Sequence, residues 1–337
     1  MARNPTTTAY TAAVRRPALS LALLALVLLS AGCADSERAA APPEPEPTAR
    51  SADFPMAAGR TAGELEAGAD KGPILAPSVS VLDPGRNRFA FALYDTARKH
   101  ITGAQVAVYT ARRDGNGTHG PYVARLESLA VRPQFESQTT SADPDSAKSV
   151  YVADLPFRDR GQRAVWALVR LDGRMLRTNA YGIDVGGADG GVPRVGDKAI
   201  RIHTLTAADV GNDLGRITTR VPPAPELLNT DFADVLGKRP VVLTFATPQL
   251  CQSRVCGPVV DIVDQVRATA PKGVAFIQQE IYKDNQVDKG VRPQVAAWHL
   301  ATEPWTFVID RTGRISTRFE GAFSVGELQR AVAKVTS

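Results

Sequence analysis

Cysteine is scarce in this sequence of 337 residues: there are three, alongside four histidines. Three cysteines cannot build a multi-disulfide scaffold or a four-cysteine zinc site, and the histidines form no cluster at metal-ligand spacing. Aromatic residues make up only 6%, but 44% of the chain is apolar, enough for ordinary cores in more than one domain, so wholesale disorder is excluded. Long apolar runs are also missing. The run ALSLALLALVLL at residues 18–29 has 12 residues, too few to span about 30 Å of hydrocarbon. Nor is there much excess of positive charge. The formal net charge is +5, but Arg3, Arg15 and Arg16 lie in the first 32 residues, which hold no acid, and +2 remains for the rest. That is too little for a nucleic-acid binder that works by charge.

What is present begins with an address. Residues 1–17 are polar, the short apolar run follows, and then come Ser30, Ala31, Gly32 and Cys33. This arrangement resembles the lipobox of bacterial lipoproteins, with Ser30 where that family prefers Leu. The resemblance implies that residues 1–33 are a lipoprotein signal peptide with a lipidated Cys33, and that the chain is anchored by lipid on the extracytoplasmic face of the cell membrane. The alternative is an ordinary cleaved signal with an unused thiol. Residues 34–73, rich in Ala, Pro, Glu and Gly, are expected to form a disordered tether, with a coil dimension of about 35 Å.

Between residues 74 and 187 the pattern has period two, with turn residues between runs: SVSVLD, RFAFALYD, AQVAVYTAR, SVYVADLPF, RAVWALVRL and RTNAYGIDV. Asp172 and Gly173 supply a favoured two-residue hairpin turn. Short strands at this spacing predict an all-β sandwich, and the segment resembles the immunoglobulin-like domains of bacterial surfaces. It has no cysteine, so the likeness is one of architecture.

A glycine-rich joint at residues 186–197 leads into a different period. Residues 188–337, with a core at about 225–337, read as an α/β domain. A short helix ends at Gly237 and an apolar strand PVVLTFAT follows. A helix carrying Val259, Ile262, Val263 and Val266 precedes the strand GVAFIQQEIY. A helix near residues 294–299 leads to TFVID, a turn, RISTRF, and a terminal helix from about Ser324. The segments TFATPQLCQSRVCGPVVD and ATEPWTFVIDRTGRI resemble the thioredoxin superfamily, and more narrowly the membrane-tethered thioredoxin-like oxidoreductases of the bacterial envelope. The resemblance implies that Cys251 and Cys256 are a redox-active pair opening a helix, and that Pro304 is a cis-proline beside them. Glu303, Pro304 and Trp305 would then line the substrate groove. The implied partners are envelope protein thiols or disulfides and a redox recycling partner, with no cofactor and no nucleic acid.

The chemistry suits those residues. A thiolate is the nucleophile of disulfide exchange, a helix N-terminus lowers a cysteine pKa, and a second cysteine resolves the mixed disulfide. The spacing departs from the family, with four residues between the cysteines instead of two. On a regular helix a five-residue step turns the side chains about 140° apart, so one cysteine of a bonded pair must lie outside the helix. Two registers fit. Counting from the strand, Cys251 attacks and Cys256 resolves; counting from the helix, Cys256-Gly257-Pro258 begins the family's signature. Glu280, at the end of its strand, is a candidate proton acceptor. The rival readings are a static disulfide in an envelope binding module with an inert thioredoxin fold, a copper chaperone using Cys251, Cys256 and His299, and, as a minority reading, a peroxidase.

Overall fold

The computed structural model of the chain describes residues 49–187 and 191–337. The expected signal peptide, Cys33 and the first part of the expected tether lie outside them. The second part of that tether is folded, which corrects the reading of residues 34–73 as a leash. Helix α1 (Ala62–Glu66) starts at a capping box, in which the Thr61 side chain accepts the Glu64 N–H and Glu64 reaches back to the Thr61 N–H. Strand β1 (Asp70–Lys71) follows.

The sandwich contains β2 (Ile74–Pro77), β3 (Gly85–Tyr94), β4 (Gln105–Ala111), β5 (His119–Val123) and β6 (Arg125–Ser128). After a short helix α2 (Gln138–Ser141) come β7 (Ser149–Phe157), β8 (Gly161–Leu171), β9 (Arg174–Arg177) and β10 (Tyr181–Val185). One sheet has the order β1-β9-β8-β4-β5 with β10 also on β8, and the other has β2-β3-β7-β6. The turn from β8 to β9 is Asp172-Gly173, both with positive φ, and it pairs Leu171 with Arg174. Phe89, Phe91, Tyr151, Val106, Val108, Val165 and Val169 fill the space between the sheets. The other face of β4 and β8 is covered as well: Tyr109, Trp166 and Leu168 pack against Phe54, Ala57 and Leu65 of the N-terminal segment. That second cover explains why β4 is apolar on both faces, where alternation alone would leave one face polar.

The C-terminal half is built on a four-stranded sheet of order β12-β11-β13-β14. A one-turn helix α3 (Phe232–Val235), capped by Asp231, leads to β11 (Val241–Phe245). Helix α4 (Cys256–Thr269) returns the chain to β12 (Ala275–Gln279), parallel to β11. Then come α5 (Pro293–Ala297), β13 (Trp305–Ile309) antiparallel to β11, β14 (Ile315–Glu320) antiparallel to β13, and α6 (Val325–Thr336). Alternate residues part to the two faces. Val241, Leu243, Phe245, Phe307 and Ile309 meet Phe232 and Trp298, while Val242, Val308 and Phe276 meet α4 and α6.

The β-sandwich and the C-terminal sheet do not have separate cores. One cluster runs from Phe89 and Tyr151 through Cys251, Cys256 and Val259 to Val332. Polar contacts reinforce the seam: Arg88 donates to both Glu327 carboxylate oxygens at 2.8 Å, and Arg318 meets Asp83 at 2.8 Å. Residues 188–190 of the expected glycine-rich joint lie outside the described residues.

Candidate functional site

At one end of the C-terminal sheet three segments leave the strands together. Phe245, the last residue of β11, pairs with Gln279 of β12 and with Trp305 of β13. Beyond them lie the cysteine loop, Glu280 and the cis bond between Glu303 and Pro304. The topology thus brings the sequence's candidate residues to one sheet edge.

Cys256 is the first residue of α4, and Cys251 lies five residues earlier in the loop; the two are disulfide-bonded with their Cα atoms 5.9 Å apart. Arg254, at φ 58°, turns the chain back, and its N–H donates to the Cys251 carbonyl at 3.4 Å. The Cys251 sulfur has the Ser253 hydroxyl at 3.2 Å. Neither cysteine is open to solvent: Cys251 is 5% exposed and Cys256 0%. Cys251 is the outer of the two.

The sandwich touches the loop that carries Cys251. The chain between β6 and β7, with α2 in it, lies along the loop and the start of α4. The Arg254 guanidinium meets the Asp143 carboxylate at 3.0 Å, and the Ala147 N–H donates to the Arg254 carbonyl at 3.1 Å. Gly257 is needed here, because a Cβ on it would stand 2.8 Å from the Thr140 hydroxyl. Between the two walls runs a groove of about 510 Å³, lined by Gln138, Thr139, Pro144, Val221, Pro248 and Gln249 among others.

Beneath this contact is a buried ionic cluster that the sequence did not announce. Asp261 of α4 accepts from Arg220 Nε at 2.9 Å, from the Thr140 hydroxyl at 2.6 Å, and from the Ser137 N–H and hydroxyl at 3.1 and 3.0 Å. Arg220 also donates to the carbonyls of Pro222 and Phe135. Burial pushes the Asp261 carboxyl above its ordinary value, and these bonds only partly offset it. The partners come from two stretches of chain distant from α4, and only the presence of Asp in an otherwise apolar helix face could have flagged the site.

Glu280 is wholly buried. It accepts from the Thr219 N–H and hydroxyl at 2.9 and 3.0 Å and from the Ile281 N–H at 2.9 Å. Burial raises its pKa, against those bonds and the neighbouring Thr247 hydroxyl, which makes no hydrogen bond of standard geometry. The Thr219 hydroxyl also accepts the Gln249 N–H at 3.2 Å, so the carboxylate is tied through Thr219 to the cysteine loop. Thr219 was not anticipated.

Pro304 is buried and Glu303 half-buried, with burial raising the Glu303 pKa. Trp305 is 1% exposed and reaches the wall of a cavity of about 540 Å³ that it shares with Val79, Arg318 and Glu320. Its indole stacks on Phe307 with centroids 5.6 Å apart and donates to the Thr302 hydroxyl at 3.0 Å. His299 is exposed, just past the end of α5, at φ 56°. Among the described residues no three His, Cys, Asp or Glu side chains form a group that could hold a metal ion, so Cys251, Cys256 and His299 are not assembled as copper ligands. No described helix is long and apolar enough to cross a membrane.

No family model matches the chain, and no curated protein matches it. Among solved structures, the Lin-41 filamin domain is similar over 34% of this chain and 97% of that domain, at 12% identity and a TM-score of 0.17, a likeness too slight to bear on function. The chain is β-rich, with a Cys251–Cys256 disulfide at the junction of a strand edge and a helix N-terminus.

Proposed function

We propose that the C-terminal region is a thioredoxin-like domain that exchanges disulfides with extracytoplasmic proteins, held at the membrane through a lipidated Cys33. The fold reading is supported by the order and direction of β12-β11-β13-β14, with β12 parallel and β13 antiparallel to β11, and by a helix entering from the cysteine loop. The redox reading is carried by one observation: the bonded pair sits at the N-terminus of a 14-residue helix, at the same sheet edge as Pro304.

The chemistry follows from that placement. A partner thiolate attacks the Cys251 sulfur, forming an S–S bond with it while the Cys251–Cys256 bond breaks. Cys256 departs as a thiolate, which the unpaired N–H groups and dipole of α4 favour, and a leaving thiol of lower pKa leaves faster. A second partner thiolate then attacks its own mixed-disulfide sulfur, releasing oxidised partner and the Cys251 thiolate. Glu280 acts through Thr219 on the position of the loop. Cys256→Ser is expected to trap mixed disulfides through Cys251, and Cys251→Ser is expected to trap fewer. Absence of any trapped partner from both variants in the cell envelope would overturn this reading.

The near-complete burial of both cysteines favours a second reading, in which the bond is a fixed staple in an envelope binding module. The reduction potential separates the two.

A further inference from the structure

A thiolate must reach the outer sulfur to exchange with it, and at 5% exposure Cys251 is closed to any protein partner. The segment that flanks it makes two kinds of contact. Ser137 and Thr140 are buried on Asp261, an anchor inside the fold. Asp143 and Ala147 instead hold Arg254, a residue of the cysteine loop whose side chain is 53% exposed. The first set is shut away from solvent, whereas an exposed ion pair is weak and screened by salt. The segment is therefore fixed at both ends, by Ser137 and Thr140 on Asp261 and by β7 from Ser149, and between them the exposed Asp143–Arg254 pair ties it to the cysteine loop, next to a groove that runs between it and Pro248.

Resting on the reading of the pair as exchange-active, we propose that residues 142–147 of the β-sandwich are a cap over the Cys251–Cys256 disulfide, latched by Asp143 and Arg254. Lifting the cap prolongs the groove to the outer sulfur, so that the partner enters as an extended cysteine-bearing segment between Pro248 and α2. The sandwich thereby governs access to the redox pair.

The test is the rate at which an uncharged trialkylphosphine reduces the oxidised full chain. The phosphine attacks sulfur, the S–S bond breaks, and water supplies the oxygen of the phosphine oxide and the two thiol protons. Because the reagent is neutral, altered charge does not change its local concentration. Asp143→Asn and Arg254→Gln are each expected to raise the rate at least threefold, and Gly257→Ala, which pushes on Thr140, is expected to raise it too. The exchanged pair Asp143→Arg with Arg254→Asp is expected to return it towards the wild-type value. Rates unchanged in folded variants would overturn the cap. Amide hydrogen exchange of residues 142–147 is a second readout in the unmodified chain: it should quicken with added salt, and no change would count against the latch. Faster reduction without trapped partners would leave the cap standing and sink the exchange reading; trapped partners with unmoved rates would do the reverse.

Discussion

The Asp261 carboxylate on α4 lies 2.9 Å from the Arg220 guanidinium, with 0% and 6% of the two side chains exposed. The pair joins the helix that begins at Cys256 to the polar segment of the sandwich. Removing one partner of such a pair leaves a buried charge without compensation. Arg220→Met is expected to destabilise the chain by about 3–5 kcal/mol in urea unfolding, and Asp261→Asn at least as much, because the buried Arg220 guanidinium it leaves behind cannot shed its charge as a carboxyl can by taking up a proton. A loss below about 1 kcal/mol for Arg220→Met would show that water reaches Asp261.

Glu327 gives stability a defined pH dependence. Burial alone would push its carboxyl up, but the Arg88 hydrogen bonds and charge, the Ser324 N–H and Arg125 outweigh it and hold the group below its ordinary value of 4.5. The unfolded chain therefore takes up this proton first as pH falls, so the contribution is present above pH 4.5 and is lost through the lowered folded value. Glu280 works in the opposite sense: its raised pKa makes stability fall as pH rises past 4.5. Glu327→Gln should flatten the acid limb of a stability–pH profile, and Glu280→Gln should flatten the decline on the other side. Unchanged limbs would contradict these assignments.

Trp305 separates a packing role from a binding role. With 1% exposure and stacking on Phe307, Trp305→Ala is expected to cost about 3–5 kcal/mol in thermal or urea unfolding. Full stability with weakened partner capture would mark Trp305 as a binding residue instead.

The N-terminal cover makes the same kind of prediction. Phe54 and Leu65 are 5% and 2% exposed, packed on Tyr109 and Trp166, and the Tyr109 hydroxyl donates to the Pro55 carbonyl at 2.6 Å. Phe54→Ala and Leu65→Ala should each cost about 2–5 kcal/mol. A disordered leash would show no loss.

Legibility followed the range of the signal. The strands around Phe89, Val108 and Val165 stood out as local alternation, and β11, α4 and β13 as apolar runs of the right length. Residues 49–73 were hidden by their Ala, Pro and Glu content, although Thr61 and Glu64 wrote a capping box that pattern reading can detect. The segment at residues 133–147, PQFESQTTSADPDSA, reads as a solvated loop because its buried face consists of hydroxyls. Its partners, Asp261 and Arg254, lie more than a hundred residues away. Cys251, Cys256, Glu280 and Pro304 were named from local context, whereas their burial depends on that distant segment.

The central claim is that the Cys251–Cys256 pair exchanges electrons with other thiols, and its equilibrium reduction potential against glutathione or dithiothreitol buffers tests it most directly. Exchange-active pairs lie above about −300 mV, and the account predicts a value there. A potential below about −300 mV would mark the bond as a structural staple and contradict it.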